Sequence, residues 1–288
     1  MTIPKSESEV ITMKKRTDET GLVHAMFDLK GKVALITGGA SGLGKAFGEA
    51  LAEYGADIAI ADIDEITAKE TAEQIKNMGR RALVARCDVT RPDEVQNTVK
   101  KTVDHLGSVD ILINNAGVTA KGMRIHEMPL EAFDKVIDID LRGVFICTRA
   151  VLPVMLKQGK GVIINIASAY SLRAFSNICE LKPNAPYITA KSGLIGLTKE
   201  TAVEYAKDGI RANAIIPGWF QGTKLTAAMQ APEYAAFTKQ YDQTVFTLTP
   251  MARKGEPDEL KALAVYLASD ASSFVTGQYF VVDGGITI

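Results

Sequence analysis

Val33-Ala34-Leu35-Ile36-Thr37-Gly38-Gly39-Ala40-Ser41-Gly42-Leu43-Gly44 is the stretch that decides the reading of this chain. Its four leading apolar residues have the length of a buried strand, and Thr37-Gly38-Gly39 breaks that strand into a turn. Leu43, Ala46, Phe47, Ala50 and Leu51 then recur at helical spacing until Gly55 closes the segment. Three glycines between a strand and a helix serve the backbone. Gly38 permits the tight turn, Gly42 lets an anion approach the main chain, and Gly44 allows helix and strand to pack closely. A pyrophosphate there would meet free N–H groups on the positive end of the helix. The plainer alternative is a tight turn without a ligand; its position directly after the first strand weighs against that.

Working outward, the same alternation repeats. Ile58-Ala59-Ile60-Ala61 ends in Asp62, a polar helix-favouring stretch covers about Glu65 to Met78, and Ala82-Leu83-Val84-Ala85 follows. Ile111-Leu112-Ile113, Val162-Ile163-Ile164, Arg211 to Ile216 and Tyr279-Phe280-Val281-Val282 read as later strands. Strands apolar on both faces, alternating with helices, predict an α/β fold: one doubly wound Rossmann domain, a parallel sheet with helices on both faces. It would occupy residues 28–288, after a polar extension of residues 1–27 that is disordered or loosely docked.

Asp62 follows Gly44 by 18 residues, the interval expected of an acid that binds a ribose. Its carboxylate would accept hydrogen bonds from adenosine 2′- and 3′-hydroxyls and repel a 2′-phosphate. Neither Ser41 nor Ile63 offers that phosphate a cation, so NAD is favoured over NADP. Alternatively Asp62 or Asp64 caps the next helix; Asp62 is better placed at the strand end and Asp64 at the cap.

Composition excludes other classes. Lys+Arg 33 against Asp+Glu 34 gives a net charge of -1, which supplies no basic field for nucleic acid. Charge-free stretches such as Gly161 to Leu172 run to about a dozen residues, too short to span a membrane. Cys87, Cys147 and Cys179 form no CxxC pair, which fits a reducing, cytoplasmic compartment. His24, His105 and His126 are isolated, so no metal-ligand spacing exists. Residues 1–27 carry no apolar run of the kind a secretory signal needs, and Glu7, Glu9, Asp18 and Glu19 argue against a transit peptide.

Tyr187 and Lys191 are four residues apart, on one face of a helix expected to run from about Tyr187 to Tyr205. Alone the pair is what chance supplies. Its company gives it meaning: Ser168 follows the strand Val162–Ile166, and Asn114-Asn115-Ala116-Gly117 follows Ile111–Ile113. All would emerge at carboxyl ends of parallel strands, where open α/β sheets bind ligands.

On these residues the sequence resembles the short-chain dehydrogenase/reductase family over residues 28–288. The matching motifs are Thr37-Gly38-x3-Gly42-x-Gly44, Cys87-Asp88-Val89, Asn114-Asn115-Ala116-Gly117, Ser168, Tyr187-x3-Lys191, Pro217-Gly218 and Val282-Asp283-Gly284-Gly285. The resemblance implies a dinucleotide on Gly38, Ser41, Gly42, Leu43 and Gly44, with Asp62 and Ile63 at the ribose and Asp88 and Val89 at the adenine. It implies that Asn115, Ala116 and Gly117 support sheet and cofactor, and that Pro217 and Gly218 wall the nicotinamide. It also implies a small-molecule substrate and a homotetramer, built from the helix around Leu130–Lys157 and the Tyr187 helix. Tyr187 would be the acid/base, Lys191 would favour its phenolate and hold the nicotinamide ribose, and Ser168 would orient the substrate oxygen.

The chain departs from the family at two places. Asp140 stands where the family usually has Asn, so the proton relay either works through the main-chain carbonyl there or is weakened and reorganised. The interval of 19 residues from Ser168 to Tyr187 is longer than the family's, so residues are inserted around Leu172–Pro186. That insertion, with Arg173, Cys179, Lys182, Pro183 and Pro186, is either a functional loop beside the substrate opening or a neutral surface feature. Thr223–Phe246, with Leu225, Met229, Tyr234, Phe237 and Tyr241, matches the family's mobile lid. Gln221–Leu225, Thr249–Gly255 and the C-terminal segments most resemble gluconate 5-dehydrogenase and related sugar-acid or polyol dehydrogenases. The expected activity is NAD-dependent interconversion of a secondary alcohol and a ketone on such a substrate. The alternatives are a 3-oxoacyl-carrier reductase and a dinucleotide-binding protein without turnover.

Overall fold

The computed structural model describes residues 21–176, 182–223 and 235–288. The strands are β1 (Val33–Thr37), β2 (Asp57–Asp62), β3 (Ala82–Arg86), β4 (Ile111–Asn114), β5 (Gly161–Ile166), β6 (Ile210–Pro217) and β7 (Tyr279–Val282). They form a 7-stranded sheet in the order β3-β2-β1-β4-β5-β6-β7, every pairing parallel. The order reverses between β1 and β4, so the crevice at their carboxyl ends is the switch point where such sheets bind ligands.

The helices are α1 (Leu22–Met26), α2 (Gly42–Glu53), α3 (Glu65–Asn77), α4 (Pro92–Leu106), α5 (Leu130–Ile137), α6 (Gly143–Gln158), α7 (Ala185–Tyr205), α8 (Ala235–Leu248) and α9 (Lys261–Ala268). Alternation along the strands divides the apolar residues between two layers. Ala34 and Ile36 of β1 pack with Phe47, Leu51, Ile75 and Leu260 on one face. Val33 and Leu35 pack with Val95, Val99, Val151 and Met155 on the other. Two-sided burial is thus why the central strands are apolar throughout. β7, at the edge, departs from that rule: Tyr279 and Val281 are exposed.

Local chemistry sets the helix ends. Asp64 caps α3 by accepting a hydrogen bond from the Thr67 N–H at 3.1 Å, and Pro92 occupies the first turn of α4, where its missing N–H costs nothing. The helix expected across Leu130–Lys157 is interrupted by a π-helical turn at Asp138–Arg142, which divides it into α5 and α6. α1 buries no side chain, whereas Leu29 is fully enclosed in the core. Among the described residues, no helix is long and apolar enough to cross a membrane, and no cluster of His, Cys, Asp and Glu could hold a metal ion. Cys87 and Cys147 are buried thiols; Cys179 lies outside the described residues.

Candidate active site

The turn after β1 is built from contacts that only glycine allows. Gly38 has φ 63 and donates its N–H to the Ala61 carbonyl at 2.8 Å. A methyl group on Gly44 would stand 2.1 Å from the Gly38 carbonyl oxygen and 2.6 Å from Asn115 Nδ2. Gly42 also has a left-handed backbone, φ 55. Ser41 precedes α2 without capping it, so its side chain takes none of the first-turn N–H groups. Asn115 fixes this turn from the next strand: its Nδ2 donates to the carbonyls of Thr37 (3.1 Å) and Gly38 (2.9 Å). Its N–H and that of Ala116 both donate to Thr37 Oγ1 at 3.1 Å.

Asp62 ends β2 facing this turn, accepting from the Ala40 N–H on Oδ2 and the Asp64 N–H on Oδ1, each at 3.0 Å. The helix cap falls to Asp64, so Asp62 keeps the strand-end position. Ile63 beside it is 66% exposed. Asp88 Oδ1 accepts from Thr90, and Val89 is buried in the core. Pro217 pairs with Val282, and a methyl group on Gly218 would lie 2.7 Å from Asp283 Cα. A helix start open to an anion, a strand-end carboxylate and a turn with no room for side chains together fit a dinucleotide.

Across the crevice, α7 places Tyr187 and Lys191 one turn apart. Lys191 Nζ donates to the Ile166 carbonyl at 3.0 Å and lies 5.7 Å from the Tyr187 ring centre. Its third neighbour is Asp140, whose Oδ2 is 3.1 Å away. Asp140 is 0% exposed and Lys191 4%. The carboxylate projects from the π-helical turn, a distortion that re-aims side chains at functional sites. Its Oδ1 accepts from the Val118 N–H at 2.7 Å. Gly117 lets the main chain lie against this pair, since a methyl group there would be 2.7 Å from Asp140 Oδ2 and 3.3 Å from Lys191 Nζ. Ser168 caps the turn Ala169–Ser171, its Oγ accepting from the Tyr170 N–H at 3.3 Å.

The Tyr187 phenol sits above its ordinary value, although Lys191 acts on it in the expected direction. Burial pushes it up most; Lys191 pulls it down, Asp140 pushes it up, and a hydrogen bond with Ser168 pulls it down. Burial lowers Lys191, but Asp140 and Tyr187 together outweigh burial and hold the side chain as an ammonium. Burial likewise raises Asp140 against the pull of Lys191. The sequence located Asp140 but not this side-chain pairing, because no spacing connects positions 140 and 191.

Beside Tyr187 begins a cluster of four aromatic residues that the motifs did not single out as one group. The Tyr170 ring lies 5.7 Å from that of Tyr187 and 4.8 Å from Phe175, and Phe175 lies 5.1 Å from Trp219. Tyr241, from the expected lid, packs on the same cluster with Leu248. The described part of the inserted segment is built into the fold. Phe175 is 1% exposed, Arg173 Nη1 donates to the Ile286 carbonyl at 2.7 Å, and the Met123 N–H donates to the Pro183 carbonyl at 2.9 Å. Leu225, Met229 and Tyr234 lie outside the described residues, as does the Phe237 side chain. A cavity of about 480 Å³ opens at the opposite end of the sheet, between Lys32, Lys160, Arg211 and Phe274, remote from these groups.

Comparison with known proteins agrees with this fold. A family model described as enoyl-(acyl carrier protein) reductase matches residues 38–287. A cis-4-hydroxycyclohexanecarboxylate dehydrogenase of Sinomonas cyclohexanicum is 38% identical over 89% of this chain and 96% of its own length. A 3-oxoacyl-[acyl-carrier-protein] reductase of Thermotoga maritima is 36% identical over 90% of this chain and 99% of its own. Among solved structures, a short-chain type dehydrogenase/reductase from Mycobacterium marinum superposes with a TM-score of 0.84 at 37% identity, covering 92% of this chain and 99% of that one. A gluconate 5-dehydrogenase from Burkholderia cenocepacia, in complex with NADP and tartrate, superposes with a TM-score of 0.81 at 34% identity, covering 92% and 98%.

Proposed function

The chain belongs to the short-chain dehydrogenase/reductase family, and from that premise we propose that it interconverts a secondary alcohol and a ketone with NAD. The observation that carries the reading is the grouping of a fixed ammonium, Lys191, with the Tyr187 phenol at the carboxyl ends of the strands. Tyr187 takes the hydroxyl proton during oxidation and returns it during reduction. Ser168 holds the substrate oxygen, and Asp140 positions Lys191. Gly38, Ser41, Gly42, Leu43 and Gly44 would hold the pyrophosphate, Asp62 and Ile63 the adenosine ribose, and Asp88 and Val89 the adenine. Asn115, Ala116 and Gly117 would support that turn, with Pro217, Gly218 and Lys191 toward the nicotinamide half. When bound, the dinucleotide supplies the hydride acceptor or donor.

The preference for NAD is supported by the Asp62 carboxylate beside the uncharged Ile63, which offers a 2′-phosphate repulsion and no cation. The same carboxylate speaks against a 3-oxoacyl-carrier reductase drawing on NADPH. The sugar-acid or polyol reading has the gluconate 5-dehydrogenase in its favour; the rings beside Tyr187 weigh toward a less polar substrate. A homotetramer is supported by the exposed apolar residues Phe145 and Leu156 on α6 and Val203 on α7, the helices expected to pair between subunits.

The test is a screen of secondary alcohols and ketones with NAD and NADP in parallel, against Tyr187→Phe. Turnover by the parent chain well above the variant, faster with NAD, is the expected result. Equal, negligible turnover by both would leave a dinucleotide-binding protein without catalysis.

A further inference from the structure

We infer that the substrate's reacting carbon belongs to a compact apolar ring, an alicyclic secondary alcohol or cyclic ketone, seated against Tyr170 and Trp219. The inference rests on the oxidoreductase reading and names its substrate class. The reacting carbon must lie within reach of the Tyr187 hydroxyl, and an arc of packed rings starts at the Tyr187 ring. Tyr170 meets Tyr187 edge-on at 5.7 Å, Phe175 meets Tyr170 at 4.8 Å, and Trp219 meets Phe175 at 5.1 Å. Phe175 is enclosed and serves as the backing, whereas Tyr170, Trp219 and Tyr241 are half-buried and pack against it. Trp219 directly follows Pro217-Gly218, the segment assigned to the nicotinamide half, so the arc reaches that segment.

Among the described residues, two cations touch the rings: Arg173 over Phe175 at 5.7 Å and Lys254 over Tyr241 at 5.5 Å. Arg173 is bonded to the Ile286 carbonyl and Lys254 is ion-paired with Asp242. Burial pushes the Tyr170 phenol up to about 12, so it stays uncharged across the physiological range. A chain of hydroxyl groups laid on these ring faces would leave water without partners from the rings. An alicyclic body loses little hydration and gains flat, polarizable contacts on the rings. Its single hydroxyl or carbonyl then has Tyr187 and Ser168 to itself.

Trp219 is the chain's single tryptophan, so its fluorescence reports occupancy of the arc without any turnover. Cyclohexanol, cyclohexanone, sorbitol and gluconate are titrated into the full chain with and without NAD, and the two alcohols and gluconate are assayed for oxidation. The expected result is saturable change in Trp219 emission with the two ring compounds only, and kcat/KM for cyclohexanol at least 100-fold above sorbitol or gluconate. Tyr170→Ala should lower the cyclohexanol kcat/KM by 10-fold or more, and Tyr170→Phe should restore it. Equal or better binding and turnover of sorbitol or gluconate overturns the ring assignment and leaves the oxidoreductase reading standing. Ring compounds that bind at Trp219 without any turnover uphold the pocket chemistry and sink the oxidoreductase reading instead.

Discussion

Lys191 Nζ lies 3.1 Å from Asp140 Oδ2, and both side chains are sealed from solvent. The ammonium beside Tyr187 is therefore compensated by a carboxylate held in place by the Val118 N–H. Net positive charge near the phenol is reduced, and burial keeps the phenol protonated above its ordinary range. Asp140→Asn removes the negative charge while keeping the shape. Phenolate then becomes easier to form, so Tyr187 loses its proton at lower pH. Oxidation rises with pH through that ionisation, and the rise should move down by about 1–3 pH units, the range a neighbouring charge produces. The check is kcat/KM against pH for both proteins at fixed cofactor. A superimposable profile removes Asp140 from control of the base.

Tyr187→Phe keeps the ring that Tyr170 packs against and deletes the proton carrier. Turnover should fall about 10²–10⁴-fold, the usual contribution of a positioned acid/base. Dinucleotide affinity, measured by calorimetry, should stay close to that of the parent chain, because the glycine turn and Asp62 are untouched. A parallel loss of affinity would mean that the hydroxyl organises the cofactor site.

How much of this was legible in the sequence follows from where each signal resides. The turn at Gly38–Gly44 could be read because backbone conformation and closeness restrict the residue type, and Gly44 has a carbonyl where a methyl group would go. The alternation of strands could be read because Ala34 and Leu35 face opposite layers and both layers are apolar. The exposed residues of β7 broke that rule because one of its two faces is left uncovered. The arc of rings was not legible. Tyr170 and Phe175 come from the connection between β5 and α7, Trp219 from the loop after β6 and Tyr241 from α8, with no period linking them. The Asp140–Lys191 pair was hidden for the same reason, and the π-helical turn that aims the carboxylate leaves no mark in the apolar pattern.

Asp62 should govern the choice of cofactor. Its carboxylate bonds the Ala40 and Asp64 N–H groups, so Asp62→Ala loosens the turn as well as removing charge. Catalytic efficiency with NAD should fall about 10–100-fold, the size expected for hydrogen bonds to an ionised group. With NADP the loss of repulsion offsets part of that fall. The decisive quantity is the ratio of kcat/KM for NAD to that for NADP, which should drop by at least tenfold. An unchanged ratio would place the discrimination elsewhere.

Asp57, at the opposite end of β2, tests the stability of the scaffold apart from catalysis. Its Oδ1 accepts from Arg80 Nη2 at 2.8 Å and the Arg81 N–H at 3.0 Å, and its Oδ2 accepts from Arg81 Nε at 2.7 Å. Burial raises this carboxyl group, but the Arg81 hydrogen bonds and the two guanidinium charges outweigh burial and hold it below its ordinary value. A group depressed in the folded state stabilises the fold above its unfolded value and loses that contribution as pH falls through the folded one. Asp57→Asn should therefore cost about 1–3 kcal/mol at pH 7, where the charged hydrogen bonds are intact. The difference should shrink as pH falls below about 4, because the native carboxylate becomes protonated as well. Urea unfolding of both proteins between pH 7 and pH 3 reads the two curves directly. A gap that stays constant across that range would mean that Asp57 acts through shape and neutral hydrogen bonding, with its charge contributing nothing.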